Sequence, residues 1–345
     1  MNWNDLSRYR APLMGFAMII VMLFHVPLSH SDLFYGLMRC GNNGVDMFLF
    51  LSGIGLWFSW TKTHPMRNDS SLFTLHSSLT LNFYYRRFLR LYPAWLIMAS
   101  LYYIPQYWPD GGGYSPNLFH LIANILVGWS FWRVDDLTFW FVPAIMALYL
   151  VAPFYMMLIQ RNRTWRWLPI LMIVWYFLVR DYPPLWKAVG HVEIFWSRIP
   201  IFLIGINCGK WVKEQRTLEG QALVGIALLF VLSFAMCIEF ENHWRGRFPL
   251  FLERMVYIPC SISGMVLLCQ LFRHAPSWLL RFLAFVGGIS LELYLIHIHF
   301  VYKYITPFHL GYCLTALLMI AVSIPLAWLL SKLVDLIVGL LPKEI

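Results

Sequence analysis

The amino-acid sequence predicts an all-α fold, a polytopic membrane helical bundle, and three observations support this. The chain is 60% hydrophobic and only 12% charged, whereas a soluble domain carries roughly 25% charged residues. Apolar segments follow one another along the chain, most of them near the ~20 residues that cross a hydrocarbon layer. Lys and Arg are concentrated in alternate connections. We therefore predict one integral membrane domain over residues 1–345. The apolar segments are 12–30, 44–61, 88–104, 117–133, 138–159, 165–180, 193–211, 219–239, 251–272, 282–304 and 309–331.

The basic residues predict which segments cross the membrane. Those between 62 and 90 mark one side of the bundle as cytoplasmic, whereas the loop 105–116 contains neither Lys nor Arg. If 117–133 also crossed, the basic residues between 161 and 166 would face the outside. The positive-inside rule therefore favours about ten transmembrane helices with both termini cytoplasmic. Segment 117–133 is then a re-entrant or surface piece on the outer side.

Charge and cysteine content exclude several classes of protein. The net charge of +9 does not indicate nucleic-acid binding, because no basic run lies in a soluble segment large enough to grip a duplex. The six cysteines form no CxxC pair, so we predict free thiols with neither a metal site nor a disulfide framework. Any chemistry is expected within the helical bundle or at its faces, in the cell (inner) membrane.

His25 lies inside the first apolar segment, where ionisable side chains are rare and often functional. At a rise of ~1.5 Å per helical residue, His25 lies ~20 Å and His297 ~22 Å from the cytoplasmic edge. Arg198 lies about 8 Å inside the outer start of its helix, which is the same level. Asp46 and Trp140 also lie near the outer ends of their helices.

This shared depth predicts a site in the outer half of the membrane, because a His, Arg and Asp set at one level is more often a site than a packing contact. Two alternatives stay open. The groups could pair to hold helices together, or they could line a conduction path. Glu193 lies at the outer start of the helix that carries Arg198. Glu292 lies ~7.5 Å nearer the cytoplasm than His297, either as a helix-pairing carboxylate or as a group that orients the site.

A second concentration of charge, the arginine cluster, comprises Arg86, Arg87 and Arg90, where the third helix leaves the cytoplasm. Spacings of three and four residues bring these guanidiniums to one helix face. Three cations at a helix start oppose the helix dipole, and a bound anion relieves that repulsion. Arginine forks at a helix N-terminus favour phosphate. The alternative is that they anchor the helix to anionic lipid.

Six blocks of this sequence, in order, resemble the acyltransferase 3 family of membrane O-acyltransferases. They extend from about residue 8 to residue 330, and six ordered blocks are more specific than any one of them. The resemblance implies about ten helices and transfer of an acyl group, usually acetyl, from cytoplasmic acyl-CoA to a sugar hydroxyl on an extracytoplasmic or membrane-linked glycan. The blocks are LMGFAMIIVMLFH, GVDMFLFLSG, YYRRFLRLYP, TFWFVPAIMALYLVAP, SRIPIFLIG and SLELYLIH.

The resemblance also assigns roles to residues of this chain. His25 matches the essential His of the family's first motif, but Met14 stands where that motif has Arg. Arg10, one helical turn earlier, is a candidate replacement. The arginine cluster matches the family's cytoplasmic Arg motif, which is thought to engage the phosphates of CoA. The other positions inside matching blocks are Asp46, Ser52, Gly53, Trp140, Tyr294 and His297.

We predict that His25 is the general base that takes the proton of the attacking sugar hydroxyl. Burial keeps an imidazole neutral and able to accept that proton. Asp46 is predicted to hold the other ring nitrogen. Arg198, Trp140 or Tyr294 is predicted to donate a hydrogen bond to the developing oxyanion. Direct transfer and a transient acyl-histidine remain equally open.

Two other classes of protein compete with this hypothesis. A transporter or flippase would use the polar cluster as a substrate path, and it predicts helices broken at matching positions in two halves. The sequence shows a single such break, at Gly287 and Gly288. A catalytically inactive scaffold would not need both His25 and the arginine cluster. The partners we expect are acyl-CoA, a glycan or glycolipid acceptor and the lipid bilayer.

Overall fold

The structure is a computed structural model that describes residues 1–63, 77–107, 117–134 and 136–342. In these residues it is helical apart from turns, and the only extended pairing among them is a bridge between Asn2 and Thr217. The predicted all-α fold is thus confirmed. The α-helices, in chain order, are α1 (Asp5–Arg8), α2 (Arg10–His25), α3 (Tyr35–Arg39), α4 (Asn43–Thr63), α5 (Ser77–Tyr107), α6 (Leu118–Val127), α7 (Trp129–Val134), α8 (Phe141–Arg161), α9 (Leu168–Asp181), α10 (Pro183–Val189), α11 (Glu193–Trp196), α12 (Ile199–Lys213), α13 (Gly220–Glu239), α14 (Leu250–His274), α15 (Ser277–Gly288), α16 (Ser290–Ile296), α17 (Lys303–Ile305) and α18 (Gly311–Gly339). Short 3₁₀ turns lie at Cys40–Asn42, Arg163–Trp167, Gly190–Val192 and Thr306–Phe308, and π-helical turns lie at Phe240–Trp244 and His297–Tyr302.

Five helices of the described chain are long and apolar enough to cross a membrane, and seven spans result if each of two bent helix pairs counts as one. This count confirms a bundle with several candidate spans but not the predicted ten. The number of candidate spans is smaller than predicted partly because α2 has only 16 residues and because α5 begins with a polar, arginine-bearing stretch. The cytoplasmic location of both termini stays a prediction.

Segment 117–133 folds as the short helices α6 and α7. The ten residues of α6 extend for about 15 Å, half the thickness of the hydrocarbon layer. The helix ends at Gly128, whose φ of +65° is a left-handed conformation that glycine adopts at low cost. Neither helix is among the candidate membrane spans, and the re-entrant or surface placement of the segment stays a prediction. Its outer location stays a prediction, and the parts of earlier predictions that concern 64–76, 108–116 and 343–345 lie outside the described residues.

Two close helix crossings build the centre of the bundle. α2 packs along α15, and α4 packs along α12. A Cβ at Gly15 would overlap the backbone of α15, and one at Gly287 would overlap α2. Gly53 and Gly205 make the same contact between α4 and α12. Small residues allow such close approach of membrane helices. α2 and α4 also contact each other directly in the core.

Two predicted spans are broken instead of continuous. The helix pair around Ser197 and Arg198 bends by 47°, and the pair around Ile289 bends by 63°. Pro200 follows the first break and suits the first turn of a helix, where its missing N–H costs nothing. Arg198 was predicted to lie within a helix, but the structure places it at a helix junction. His297 opens a π-helical turn, a rare geometry that is frequent at functional sites.

Candidate active site

Two imidazoles from distant parts of the chain meet inside the bundle. His25 is the last residue of α2, and His297 follows α16 directly. Their ring centroids are 5.0 Å apart in an edge-to-face arrangement, and His297 Nε2 lies 3.2 Å from His25 Nδ1. His297 is fully buried, whereas His25 is only half-buried. The equal depth predicted from the helical rise thus corresponds to direct contact.

Backbone carbonyls fix the tautomer of both rings. His25 Nδ1 lies 2.8 Å from the Val21 carbonyl oxygen, and His297 Nδ1 lies 2.9 Å from those of Leu293 and Tyr294. Each Nδ1 carries the hydrogen, because a carbonyl oxygen can only accept. His25 Nδ1–H is therefore shared between Val21 and the lone pair of His297 Nε2. His25 Nε2 has no partner in the described chain, so its lone pair remains available for a substrate proton.

Asp46 does not hold His25, in contrast to the prediction. Its carboxylate accepts a hydrogen bond from Arg198, and Arg198 Nη2 donates to Asn42 Oδ1 at 3.0 Å. Both members of this ion pair are 1% exposed. A buried guanidinium requires a carboxylate partner far more than a neutral imidazole does. The position predicted for Asp46 is occupied by His297 and the Val21 carbonyl, and the ion pair joins α4 to the break before α12.

A cavity of about 320 Å³ lies between α2, α4, α5, α8 and α16. Arg10, Arg87 and Arg90 line what we call its arginine end. Val21 and Tyr294, whose carbonyls hold the two histidines, line its histidine end. Arg10 and Val21 lie on the same helix about 16 Å apart. The cavity therefore leads from a cationic cluster to the residues that hold the histidine pair.

The arginine end contains guanidinium groups for which no described residue provides a counter-charge. The Nε atoms of Arg10 and Arg87 are buried and lack a hydrogen-bond partner in the described residues. Arg90 Nη2 donates to the carbonyl of Gly288 at 3.2 Å. Arg10 and Arg87 are half-buried, and like charges at close range repel one another, so this end is suited to an anion. Arg86, the third member of the predicted cluster, is exposed and is not part of the cavity wall.

Arg10 and Met14 line the same cavity one helical turn apart. Met14 is the position at which the family resemblance expects Arg. The Arg10 guanidinium lies beside Gly55, where an added Cβ would approach its Nη2 to 3.1 Å. Arg10 is also within electrostatic range of Arg87 and Arg90. The geometry therefore allows Arg10 to present its charge to the space that Met14 faces.

The three predicted oxyanion donors differ in position. The Tyr294 hydroxyl accepts a hydrogen bond from the Phe141 backbone N–H at 3.1 Å, so its own hydrogen is available to a ligand, and Tyr294 lines the cavity. Trp140 lies outside the cavity wall, with its ring 6.4 Å from that of Phe131. Arg198 is buried in its ion pair. Of the three, Tyr294 is the one that the structure places beside the histidine pair.

Two carboxylates that the sequence placed near the predicted site, Glu193 and Glu292, do not contact the histidine pair. Glu193 Oε1 accepts hydrogen bonds from the Tyr176 hydroxyl at 2.7 Å and from the Phe251 backbone at 3.0 Å, which ties α11 to α9 and α14. Glu292 is buried within electrostatic range of Arg90. Because both ring nitrogens of His297 are already engaged, Glu292 does not orient that imidazole.

Several residues of the cavity wall were not predicted from the sequence, including Phe48, Phe141, Tyr149 and Ser290. Their signal is helical spacing. Phe141 and Tyr149 are eight residues apart on α8, and Ser290 is four residues before Tyr294 on α16. Such spacings place residues on one helix face. The sequence alone does not show which face of each helix turns toward the others.

A family model described as an acyltransferase domain matches residues 13–332. The match includes both histidines of the pair, the arginine cluster and the buried ion pair, whereas Arg10 lies just before it. No significant match is found among curated proteins or among solved structures. Within the described chain, no group of three or more His, Cys, Asp or Glu side chains is arranged to hold a metal ion.

Proposed function

Because this chain belongs to the acyltransferase 3 family, we propose that it is a membrane O-acyltransferase that takes an acyl group, such as acetyl, from cytoplasmic acyl-CoA. The acceptor is a hydroxyl of an extracytoplasmic or lipid-linked glycan. The observation that carries this proposal is the cavity that leads from Arg10, Arg87 and Arg90 to the residues holding the histidine pair. A donor with phosphates at one end and a thioester at the other matches these two ends.

The polar groups along the cavity wall match the phosphates and the pantetheine arm of acyl-CoA. Phosphates pair with guanidiniums in bidentate geometry, and the unsatisfied Nε atoms of Arg10 and Arg87 offer such donors. Tyr149, Ser52 and Ser290 add hydroxyl groups to the wall, which suit the amide groups of the pantetheine arm. The loop charges predict that the arginine end faces the cytoplasm, where acyl-CoA is found.

Replacing Arg87 with Ala is expected to raise KM for acetyl-CoA at least tenfold, since a charge-assisted hydrogen bond contributes about 1.5–3 kcal/mol. Arg86→Ala is the matched control, because Arg86 is the neighbouring residue and lies outside the cavity wall. We expect its KM to rise less than threefold. Initial rates at varied acetyl-CoA concentration measure both. Equal effects of the two changes would contradict the assignment of the phosphate site.

His25 Nε2 then serves as general base. As the acceptor oxygen forms a bond to the thioester carbon, its proton moves to His25 Nε2, and the carbonyl electrons move to an oxyanion. The Tyr294 hydroxyl donates to that oxyanion. When the C–S bond breaks, the CoA thiolate leaves and takes the proton from His25. His297 stabilises the transient imidazolium, because its Nε2 lone pair accepts from His25 Nδ1–H.

A transient acyl-histidine uses the same atoms in two steps. Nε2 first attacks the thioester carbon, and the C–S bond breaks to release the CoA thiolate. The acceptor hydroxyl then attacks the acyl-imidazole, the C–N bond breaks, and the hydroxyl proton passes to the freed Nε2 and on to the CoA thiolate. The two routes differ when no acceptor is present. Label from acetyl-CoA remains on His25 in the second route, and it does not remain on the protein in direct transfer.

Broken helices, of which the described chain has two, also occur in transporters. Secondary transporters place such breaks at corresponding positions of two repeated halves. Here the breaks at Ser197–Arg198 and at Ile289 both lie in the C-terminal half of the chain. They therefore do not form the pair that the transporter alternative requires, and we favour the enzyme.

Sealed vesicles containing the purified protein test the proposed function. Acetyl-CoA labelled in the acetyl group is supplied on the side of the arginine end, and the label is followed to water or to an added glycan. We expect free CoA to appear and the label to leave the thioester. Recovery of intact acetyl-CoA inside the vesicles, with no thioester cleavage, would indicate a transporter and overturn the enzyme proposal.

A further inference from the structure

A second arginine group, comprising Arg39, Arg245 and Arg254, lies close to His25. The Arg39 guanidinium carbon is 4.0 Å from the centre of the Phe24 ring, and that ring is 4.9 Å from the ring of His25. Arg39 is also within electrostatic range of His25. His25 ends α2, whereas Arg10 begins it. The second arginine group is therefore at the opposite end of α2 from the proposed site of the donor phosphates.

Glu241 joins two members of this group. Its Oε2 lies 3.5 Å from Arg39 Nε and 3.8 Å from Arg245 Nη1, and its Oε1 accepts a hydrogen bond from the Tyr257 hydroxyl at 2.7 Å. Arg245 Nη1 also donates to the Tyr35 hydroxyl at 3.2 Å. Both distances to Oε2 exceed that of a hydrogen bond. Glu241 thus leaves most of the donors on these two guanidiniums free for a ligand.

Arg254, the third member, has no carboxylate partner among the described residues. It is only 7% exposed, and its Nε and Nη1 are buried without a hydrogen-bond partner. Its guanidinium carbon lies 4.5 Å from the centre of the Tyr257 ring, and the hydroxyl of that same tyrosine binds Glu241. A charge buried without a partner is costly. A bound anion would remove this cost.

The charges around the group do not cancel. Glu241 and Glu253 are the carboxylates within electrostatic range of one another and of Arg245 and Arg254, so two negative charges face three guanidiniums. Glu253 Oε1 accepts a hydrogen bond from the backbone N–H of Gly246 at 3.2 Å, which uses part of its acceptor capacity. The group is therefore left with a net positive charge beside His25.

Membrane orientation does not explain these arginines. With the N-terminus predicted to be cytoplasmic, α2 ends on the outer side, and the segment that carries Arg39 follows it. The connection between α13 and α14, which carries Arg245, faces the same side because Glu241 joins it to Arg39. Lys and Arg are disfavoured in short connections on the outer side. We propose that the second arginine group binds an anionic group of the acceptor, beside the hydroxyl that receives the acyl group.

This inference rests on the proposed function and adds the charge of the acceptor to it. Guanidinium forks bind carboxylates and phosphates in bidentate geometry. The shared chemistry is an oxyanion, which either an acidic sugar or a sugar phosphate supplies. An anion held at Arg39 and Arg254 fixes the acceptor on the side of His25 remote from the donor phosphates, so that a neighbouring hydroxyl reaches His25 Nε2.

Calorimetric titration of the purified protein with glucuronate, glucose 1-phosphate and glucose tests the inference. Saturating CoA is present throughout, so that the arginine end of the cavity is occupied. We expect at least one of the charged sugars to bind about tenfold or more tightly than glucose, as charge-assisted hydrogen bonds provide. The tighter of the two identifies the anion as a carboxylate or a phosphate.

Arg254→Gln should reduce the preference for the charged sugar at least about tenfold. Arg39→Gln provides a second variant at a less buried site if Arg254→Gln does not fold. Arg247→Gln is the matched control, because Arg247 is an exposed arginine of the same connection that lies over Trp244 at 5.1 Å, and we expect a change of less than about threefold. Arginines that only held helices together would alter the unfolding temperature and leave the ratio of affinities unchanged.

Three outcomes would overturn the inference. The first is equal binding of charged and neutral sugars, or binding of none of the three. The second is a preference for charged sugars that both Arg254→Gln and Arg39→Gln retain. The third is a protein that binds the charged sugar through Arg254 but does not cleave labelled acetyl-CoA, which would refute the proposed function and leave an anion site without a role in transfer. The first two outcomes leave the proposed function standing.

Discussion

Replacing His25 with Ala is expected to lower the rate of acyl transfer by about 10²- to 10⁴-fold, the usual contribution of a general base. The side chain supplies the unpartnered Nε2, on the ring that contacts His297. His297 cannot substitute, because its Nδ1 is held by the carbonyls of Leu293 and Tyr294 and its Nε2 faces His25.

His30→Ala is the control for this change. His30 lies five residues further along the chain and is exposed, with its ring centroid 4.7 Å from that of Tyr35. We expect unchanged turnover in that variant. Transfer of labelled acetyl, normalised to the amount of monodisperse protein, measures both. Wild-type turnover in His25→Ala would show that acyl transfer does not require this imidazole.

Replacing Arg198 with Ala is expected to destabilise the fold by about 3–5 kcal/mol, because it leaves the Asp46 carboxylate buried without its cation. The loss also frees the junction between α11 and α12, since Arg198 holds Asn42 as well as Asp46. We expect a large drop in thermal unfolding temperature in detergent. The effect should appear with or without acyl-CoA, since the ion pair lies outside the cavity wall.

Two variants give this prediction its controls. Arg216→Ala removes an exposed arginine whose partner, Glu214, is also exposed, and surface pairs contribute at most about 1 kcal/mol. Combining Arg198→Met with Asp46→Leu removes both buried charges, and such replacements are often neutral. We expect the double variant to unfold at a higher temperature than Arg198→Ala. An Arg198→Ala protein as stable as wild type would show that the ion pair does not hold the break.

The sequence was sufficient to predict an all-helical bundle with several candidate membrane spans. It placed His25 and His297 at one depth, because helical rise converts residue number into depth, and the structure shows their rings in contact. It also placed Arg87 and Arg90 on one helix face, and both line the cavity.

Depth alone did not predict which side chains meet. Asp46 and Arg198 lie at the level of His25 but turn toward each other, since the rotation of each helix about its axis depends on packing partners distant in sequence. The helix break at Arg198 and the π-helical turn at His297 were also missed. Both are local departures from regular helix that hydropathy does not register, and both position a polar side chain of the core.

The most direct measurement is an experimental structure with a hydrolysis-resistant acetyl-CoA analogue bound. We expect the phosphates at Arg10, Arg87 and Arg90, and the acetyl carbonyl carbon within reach of His25 Nε2. An analogue that binds with its phosphates away from these arginines, or with its acetyl group on a side of the bundle remote from His25, would contradict the account.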